Sequence, residues 1–137
     1  MVMDTKLEKV EQSMLSAQAE IECPLTHRFS DGIYSREIFM PAGTVVLGHK
    51  HKTRHLNIVL RGRCKVIAND EVKEIVAPCT FESEAGVRKL VNVLEDTVWQ
   101  TIHVNEDDCE NIEQLEARLV EPSHTFIAHK EMERLTS

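Results

Sequence analysis

Gly43-Thr44-Val45-Val46-Leu47-Gly48-His49-Lys50-His51-Lys52-Thr53-Arg54-His55-Leu56-Asn57-Ile58-Val59-Leu60-Arg61-Gly62 is the stretch in which β-branched alternation and histidine spacing coincide. Side chains in a strand alternate between faces. His49 and His51 therefore share a face with Val45 and Leu47. Lys52-Thr53-Arg54 is long enough for a turn. His55 then opens a second strand, with Asn57 and Val59 on its face. If the two strands form a hairpin, three imidazoles converge at one end of a sheet among apolar neighbours. Neutral imidazole is a good ligand for divalent transition metals, and three of them make a facial site with open positions. The alternative is that these histidines only pack, since His-x-His pairs are common and the chain has seven histidines.

Outward from this stretch, Ile33 to Val104 has one texture. Short runs rich in Val, Ile, Thr and aromatics are separated by turn residues such as Pro41-Ala42-Gly43, Arg61-Gly62 and Ala85-Gly86. Strand-sized segments at near-regular spacing predict a β-sandwich or barrel. Four of the five glycines fall in this stretch, and the fifth, Gly32, immediately precedes it. Asn69-Asp70, between Lys65–Ala68 and Glu71–Val76, predicts a tight hairpin. Helices flank the strands. Asp4 can cap a helix over 4–21, with Leu7, Val10, Met14, Ala17 and Ile21 on one stripe. A second helix is expected over 106–119, with Ile112, Leu115 and Leu119 on one face and acidic residues at its start. Residues 120–137 are ambiguous between strand, helix and frayed tail. Nothing divides the chain, so 1–137 is expected to be one domain.

The composition narrows the function. The chain has 137 residues, 16 Lys and Arg against 23 Asp and Glu, and a net charge of −7. That balance argues against nucleic acid and anionic membrane surfaces as partners. No apolar run has the length of a membrane span, and Met1–Glu20 lacks the pattern of a signal peptide, so a cytoplasmic location is expected. Cys23, Cys64, Cys79 and Cys109 are widely spaced and read as reduced thiols. His27, His124 and His129 have no partners at ligand spacing and read as surface or packing residues. His103 follows Val98–Ile102 on a predicted strand whose register the sequence leaves open. Leu56, Ile58 and Leu60 are unusually apolar for an outer face, which predicts cover by the N-terminal helix or by a second subunit. Lys50, Lys52 and Arg54 form a basic rim, read either as a solvated loop or as an attractor of anions. Trp99 and Tyr34 read as core or interface residues. No P-loop, GxGxxG or nucleophile elbow is present.

The stretch resembles the first motif of the cupin superfamily, G-x5-H-x-H-x(3,4)-E-x6-G. Gly43, His49, His51 and Gly62 stand at its spacings, and His55 takes the place of its glutamate. The second cupin motif is present in outline. Gly86 matches its central glycine, Glu84 stands where proline is usual, and Pro78 where the first glycine would be. Lys89 replaces the fourth ligand, a histidine, and Asn92 is one place short of the motif asparagine. The resemblance covers roughly residues 32–104; more loosely, the chain looks like small single-domain cupins of tailed bacteriophages. It implies an all-β fold, a small antiparallel barrel of the jelly-roll kind with the flanking helices, and a ligand inside its mouth.

Carried over residue by residue, the resemblance makes His49 and His51 metal ligands and His55 a third, replacing a carboxylate. The implied cofactor is a divalent transition metal: Zn, Fe, Ni or Mn. Lys89 has no lone pair to offer when protonated. It implies a catalytic role beside the metal, orienting or protonating a small anionic molecule, or else a basic pocket that has lost its metal. Because cupins often dimerise through the sheet, a homodimer is implied. Three functions remain open: a metal-dependent enzyme of dioxygenase, isomerase or lyase type, a non-enzymatic small-molecule or metal binding module, and an accessory structural protein. A fold alone does not choose among them.

Overall fold

The computed structural model describes residues 9, 23–121 and 126–129. The helix expected over 4–21 and most of the 120–137 tail lie outside the described residues. The described chain is almost entirely antiparallel strand: β1 Leu25–Ser30, β2 Ile33–Met40, β3 Thr44–Leu47, β4 His55–Ala68, β5 Glu71–Val76, β6 Cys79–Ser83, β7 Leu90–Val104 and β8 Phe126–His129. One helix, α1, spans Ile112–Leu119. No helix among the described residues is long and apolar enough to cross a membrane.

Two long strands organise the rest. β7 pairs with β2 on one side and with β4 on the other, while its first residues also pair with β3. β4 pairs with β5 through Arg63–Ala68 and with β6 through His55–Val59. β8 adds to the free side of β3. Strands this long bend by bulging. The β4–β7 register shifts between Val59 and Arg61 and again on either side of Arg63. Gly62 sits in this irregularity with φ +99°, and a Cβ there would run into the Asp96 carbonyl oxygen and Thr97. Only glycine fits both the backbone angle and the close approach. The β4–β5 hairpin turns at Asn69 (φ 52°) and Asp70 (φ 62°). Two consecutive positive φ angles suit a two-residue turn that matches strand twist, and Asn and Asp tolerate them better than most residues do.

The interior has an apolar end and a polar end. Val46, Val59, Cys64, Val66, Val91, Val93, Trp99 and Met40 form the core, and Phe81 meets Trp99 edge-on at 5.6 Å. The four cysteines are free thiols, with Cys23 and Cys64 buried. A second cluster packs Leu115 and Leu119 of α1 on Tyr34, closing the β1–β2 side. α1 begins later than the expected 106–119. Asn111 caps it, its side chain accepting from the Gln114 amide at 3.0 Å. The acidic residues before it form a turn instead: Asp108 adopts φ 52° and accepts from the Gly32 amide at 2.7 Å. On the outer surface, Ile33, Leu56, Leu60 (52% exposed) and Val104 (72% exposed) lie across β2, β7 and β4. Within the described chain, therefore, Leu56 and Leu60 stay largely uncovered.

Candidate metal centre

The inner face of the sheet sets the geometry. Residues opposite one another in an antiparallel pair share a face. Tyr34 on β2 faces His103 on β7, and Leu56 faces Ile102, which brings His55 and His103 to the same level on the inner side. One row below, Arg36 and Asn57 both lie opposite Thr101. His55 and His103 are each only 4% exposed.

The third imidazole arrives by another route. β3 ends at Leu47, and residues 48–50 are not strand, so alternation does not carry through His49 to His51. Among the described residues β3 and β4 do not pair with each other; β3 pairs with β7 and β8. The loop is instead fastened on both sides. The Gly48 amide donates to Lys89 and the Gly86 amide to the His51 carbonyl, while the amides of Lys52 and Glu121 bond Leu119 and Lys50. This pinning directs His51 toward His55 and His103.

The three rings form one cluster. Ring centroids are 4.1 Å apart for His51 and His55, 5.1 Å for His55 and His103, and 5.4 Å for His51 and His103. One ligand nitrogen from each lies within 4.8 Å of the others. The structure thus groups His51 and His55 with His103, and it places His49 elsewhere. His49 lines a hollow of about 370 Å³ against α1, with Lys52, Glu113 and Glu116 among its neighbours. The reason is local: the predicted hairpin is an irregular loop, so His49 and His51 part company. His103 had a usable signal, because it is in phase with Trp99 along β7 and a buried Trp99 implies an inward His103.

The nitrogens are prepared for an ion. His55 Nδ1 lies 3.0 Å from the Thr53 carbonyl, which can only accept, so Nδ1 carries the proton and Nε2 the lone pair. His103 Nε2 lies 3.1 Å from the Thr101 hydroxyl. His51 Nδ1, His55 Nε2 and His103 Nδ1 are all buried without a hydrogen-bond partner. Buried polar atoms rarely stay unpaired unless something else engages them. Burial, then the neighbouring His55, His103, Lys89 and Arg36, pushes the His51 pKa down to about 2. Burial, with His55 and Arg36, pushes His103 down to about 4. Burial also lowers His55, against the opposing pull of the Thr53 bond, and Lys89 lowers it further. The rings are therefore neutral near pH 7, the form that binds metals, and two have outer partners that fix the ring. The residues present fit a divalent transition ion.

Around the cluster the field is positive. Burial lowers the Lys89 pKa to about 8. Lys89 lines a hollow of about 320 Å³ together with Phe81, Ser83 and Val87. Arg36, which the sequence reading did not single out, has a buried Nε with no partner. Beneath the rings Asn57 accepts from Trp99 Nε1 at 3.0 Å and donates to Ser83 Oγ at 2.8 Å, a fixed polar floor. The basic rim is engaged: Arg54 pairs with Glu82 at 2.8 Å, and Lys52 Nζ donates to the Ala117 carbonyl at 2.8 Å.

Comparison with solved structures settles the architecture. A cupin-2 domain protein from Shewanella frigidimarina superposes with a TM-score of 0.51 at 13% identity, over 75% of this chain and 99% of that one. The chain has the cupin fold. Salicylate 1,2-dioxygenase of Pseudoaminobacter salicylatoxidans matches the same cupin architecture with a TM-score of 0.57 at 12% identity, over 88% of this chain and 35% of the enzyme. The DMSP lyase DddQ of Ruegeria pomeroyi matches with a TM-score of 0.55 at 10% identity, over 68% of this chain and 55% of the lyase. The chain thus spans about half the length of the lyase. No protein-family model matches this chain, and no curated protein matches its sequence.

Proposed function

We propose that this cupin holds a divalent transition metal (Zn, Fe, Ni or Mn) on His51, His55 and His103 and acts on a small anionic substrate. The observation that carries the reading is the set of three buried imidazole nitrogens, one per ring, that lack any hydrogen-bond partner. A bound ion would supply Lewis acidity and open coordination positions. The chain's own residues do the rest. Thr53 and Thr101 hold the His55 and His103 rings. Lys89 attracts and orients the anion. With a pKa near 8, it can also give or take a proton at close to neutral pH. Dioxygenase, isomerase and lyase chemistry all suit such a site.

The second reading is a binding module without turnover. Arg36 and Lys89 favour it, since cations placed to capture an anion do not themselves require a reaction. In either case the exposed apolar stripe on β2, β7 and β4 supports a homodimer.

Elemental analysis of untagged protein, followed by Co(II) and Zn(II) titration, tests the metal. One ion per chain is expected, with His103→Ala weakening it at least about 100-fold. Absence of stoichiometric metal together with no measurable affinity would overturn the metal reading.

A further inference from the structure

Two cations border the imidazole cluster. Arg36 lies on β2, one row below Tyr34 and His103. Lys89 precedes β7 and shares its hollow with Ser83, which lies opposite His55 on β6. The electrostatic neighbours agree: Arg36 acts on His103, Lys89 acts on His55, and His51 feels both.

Neither cation is directly paired; the carboxylate of Glu116 on α1 shares the neighbours His27 and Tyr34 with Arg36 but forms no ion pair with it. Arg36 Nε is buried without a partner, and among the described residues neither Arg36 nor Lys89 forms an ion pair. The inward positions around the cluster on β2 (Tyr34, Arg36), β4 (His55, Asn57) and β7 (Thr101, His103) carry no carboxylate. Glu71, Glu82 and Glu84 reach the Lys89 hollow, but Glu71 lies within ion-pair distance of Lys73 and the other two of Arg54. Partly burying a charge without a counter-ion is costly, so the cup favours a ligand that brings negative charge. One carboxylate does not serve both cations. Arg36 is anchored opposite Thr101, twelve residues along the chain from Lys89, which stands at the other end of the bent β7, and the hollow that Lys89 lines does not include Arg36.

Resting on the reading of the cup as an anion-receiving site, we propose that its ligand is a small dianion, a dicarboxylate in the simplest case. One carboxylate is held by the Arg36 guanidinium and the other by the Lys89 ammonium, and the connecting carbons span the three imidazoles. Arginine suits a planar, two-pronged acceptor and lysine a single strong point contact.

Calorimetric titration of the full chain, both metal-free and loaded with Zn(II), tests this with malonate, succinate and glutarate against acetate and butyrate. At least one dicarboxylate is expected to bind at least about tenfold more tightly than either monocarboxylate. Arg36→Met and Lys89→Met should each shrink that advantage to less than about threefold, while Arg36→Lys retains part of it. If Arg36→Met does not fold, Arg36→Lys and Lys89→Met carry the comparison. Equal binding of mono- and dicarboxylates, an advantage that survives both substitutions, or no binding of any of the five overturns the proposal. The two readings fail separately. Zn(II) binding without dianion preference removes only this inference. Dianion binding that needs Arg36 and Lys89 in a chain that takes up no metal removes only the metal.

Discussion

The His55 Nδ1 proton points at the carbonyl of Thr53, two residues back and 3.0 Å away, and this leaves Nε2 as a buried lone pair facing the cluster. The bond fixes the tautomer and the ring plane together, so a backbone carbonyl in the loop before β4 does the work that a carboxylate does in many metal sites.

The three neutral rings make stability depend on pH. In the folded chain the His51 and His103 pKa values lie at about 2 and about 4, below the usual 6.5. The unfolded chain therefore binds more protons once the pH falls below 6.5. Stability is fully present above that value and is lost progressively toward pH 4 as the unfolded state gains protons. Metal-stripped protein should lose on the order of a few kcal/mol between pH 7 and pH 4. Urea denaturation at successive pH values measures this. His51→Ala and His103→Ala should each flatten the slope, and an unchanged slope in both would contradict the assignment.

His49 and His103 are separated by a direct comparison. His49 lines the hollow against α1, whereas His103 belongs to the cluster. His49→Ala should change Co(II) affinity by less than about threefold, whereas His103→Ala should weaken it at least about 100-fold. The reverse pattern, read from the visible absorption of the Co(II) form, would return the site to the ligand set implied by the motif.

What the sequence made legible follows from which forces act locally. The Asn69-Asp70 turn was readable because positive φ is a property of the residues themselves. His55 was readable because β4 alternates cleanly from Asn57 to Leu60. His51 was found for a reason that does not hold, since the fastened loop, rather than strand alternation, aims it. The placement of His103 depends on pairing with β2 and β4 and on a register that shifts around Gly62, which is tertiary information. Arg36 was invisible because β2 mixes polar and apolar residues on both faces, Ile33, Glu37 and Phe39 outward against Tyr34, Arg36 and Ile38 inward.

The outer stripe predicts an assembly state. Leu56 lies opposite Ile102 and Ile33 opposite Val104, so exposed apolar side chains continue across three strands. A contiguous apolar patch on a sheet face favours association. Light scattering after size exclusion should give a dimer for the native chain and a monomer for Leu60→Lys, with the thermal melt of the monomer still cooperative. A native chain that is monomeric at all concentrations would remove the dimer.

Asn57 links the imidazole cluster to the core, and its replacement tests how firmly the cup is built. Its side chain is fully buried, accepts from Trp99 Nε1 and donates to Ser83 Oγ. Leucine has similar bulk but leaves the indole N–H and the serine hydroxyl without partners in a buried setting. Each orphaned group costs about 1–3 kcal/mol, so Asn57→Leu should lower stability by about 2–4 kcal/mol in urea denaturation. Ser83→Ala removes one bond and leaves the Trp99 contact intact, so it should cost about 1 kcal/mol. The double variant should cost less than the sum, because both changes break the same bond. Strict additivity would mean that Asn57 and Ser83 stabilise the floor of the cup independently, and the hydrogen bond between them would then carry none of the energy assigned to it.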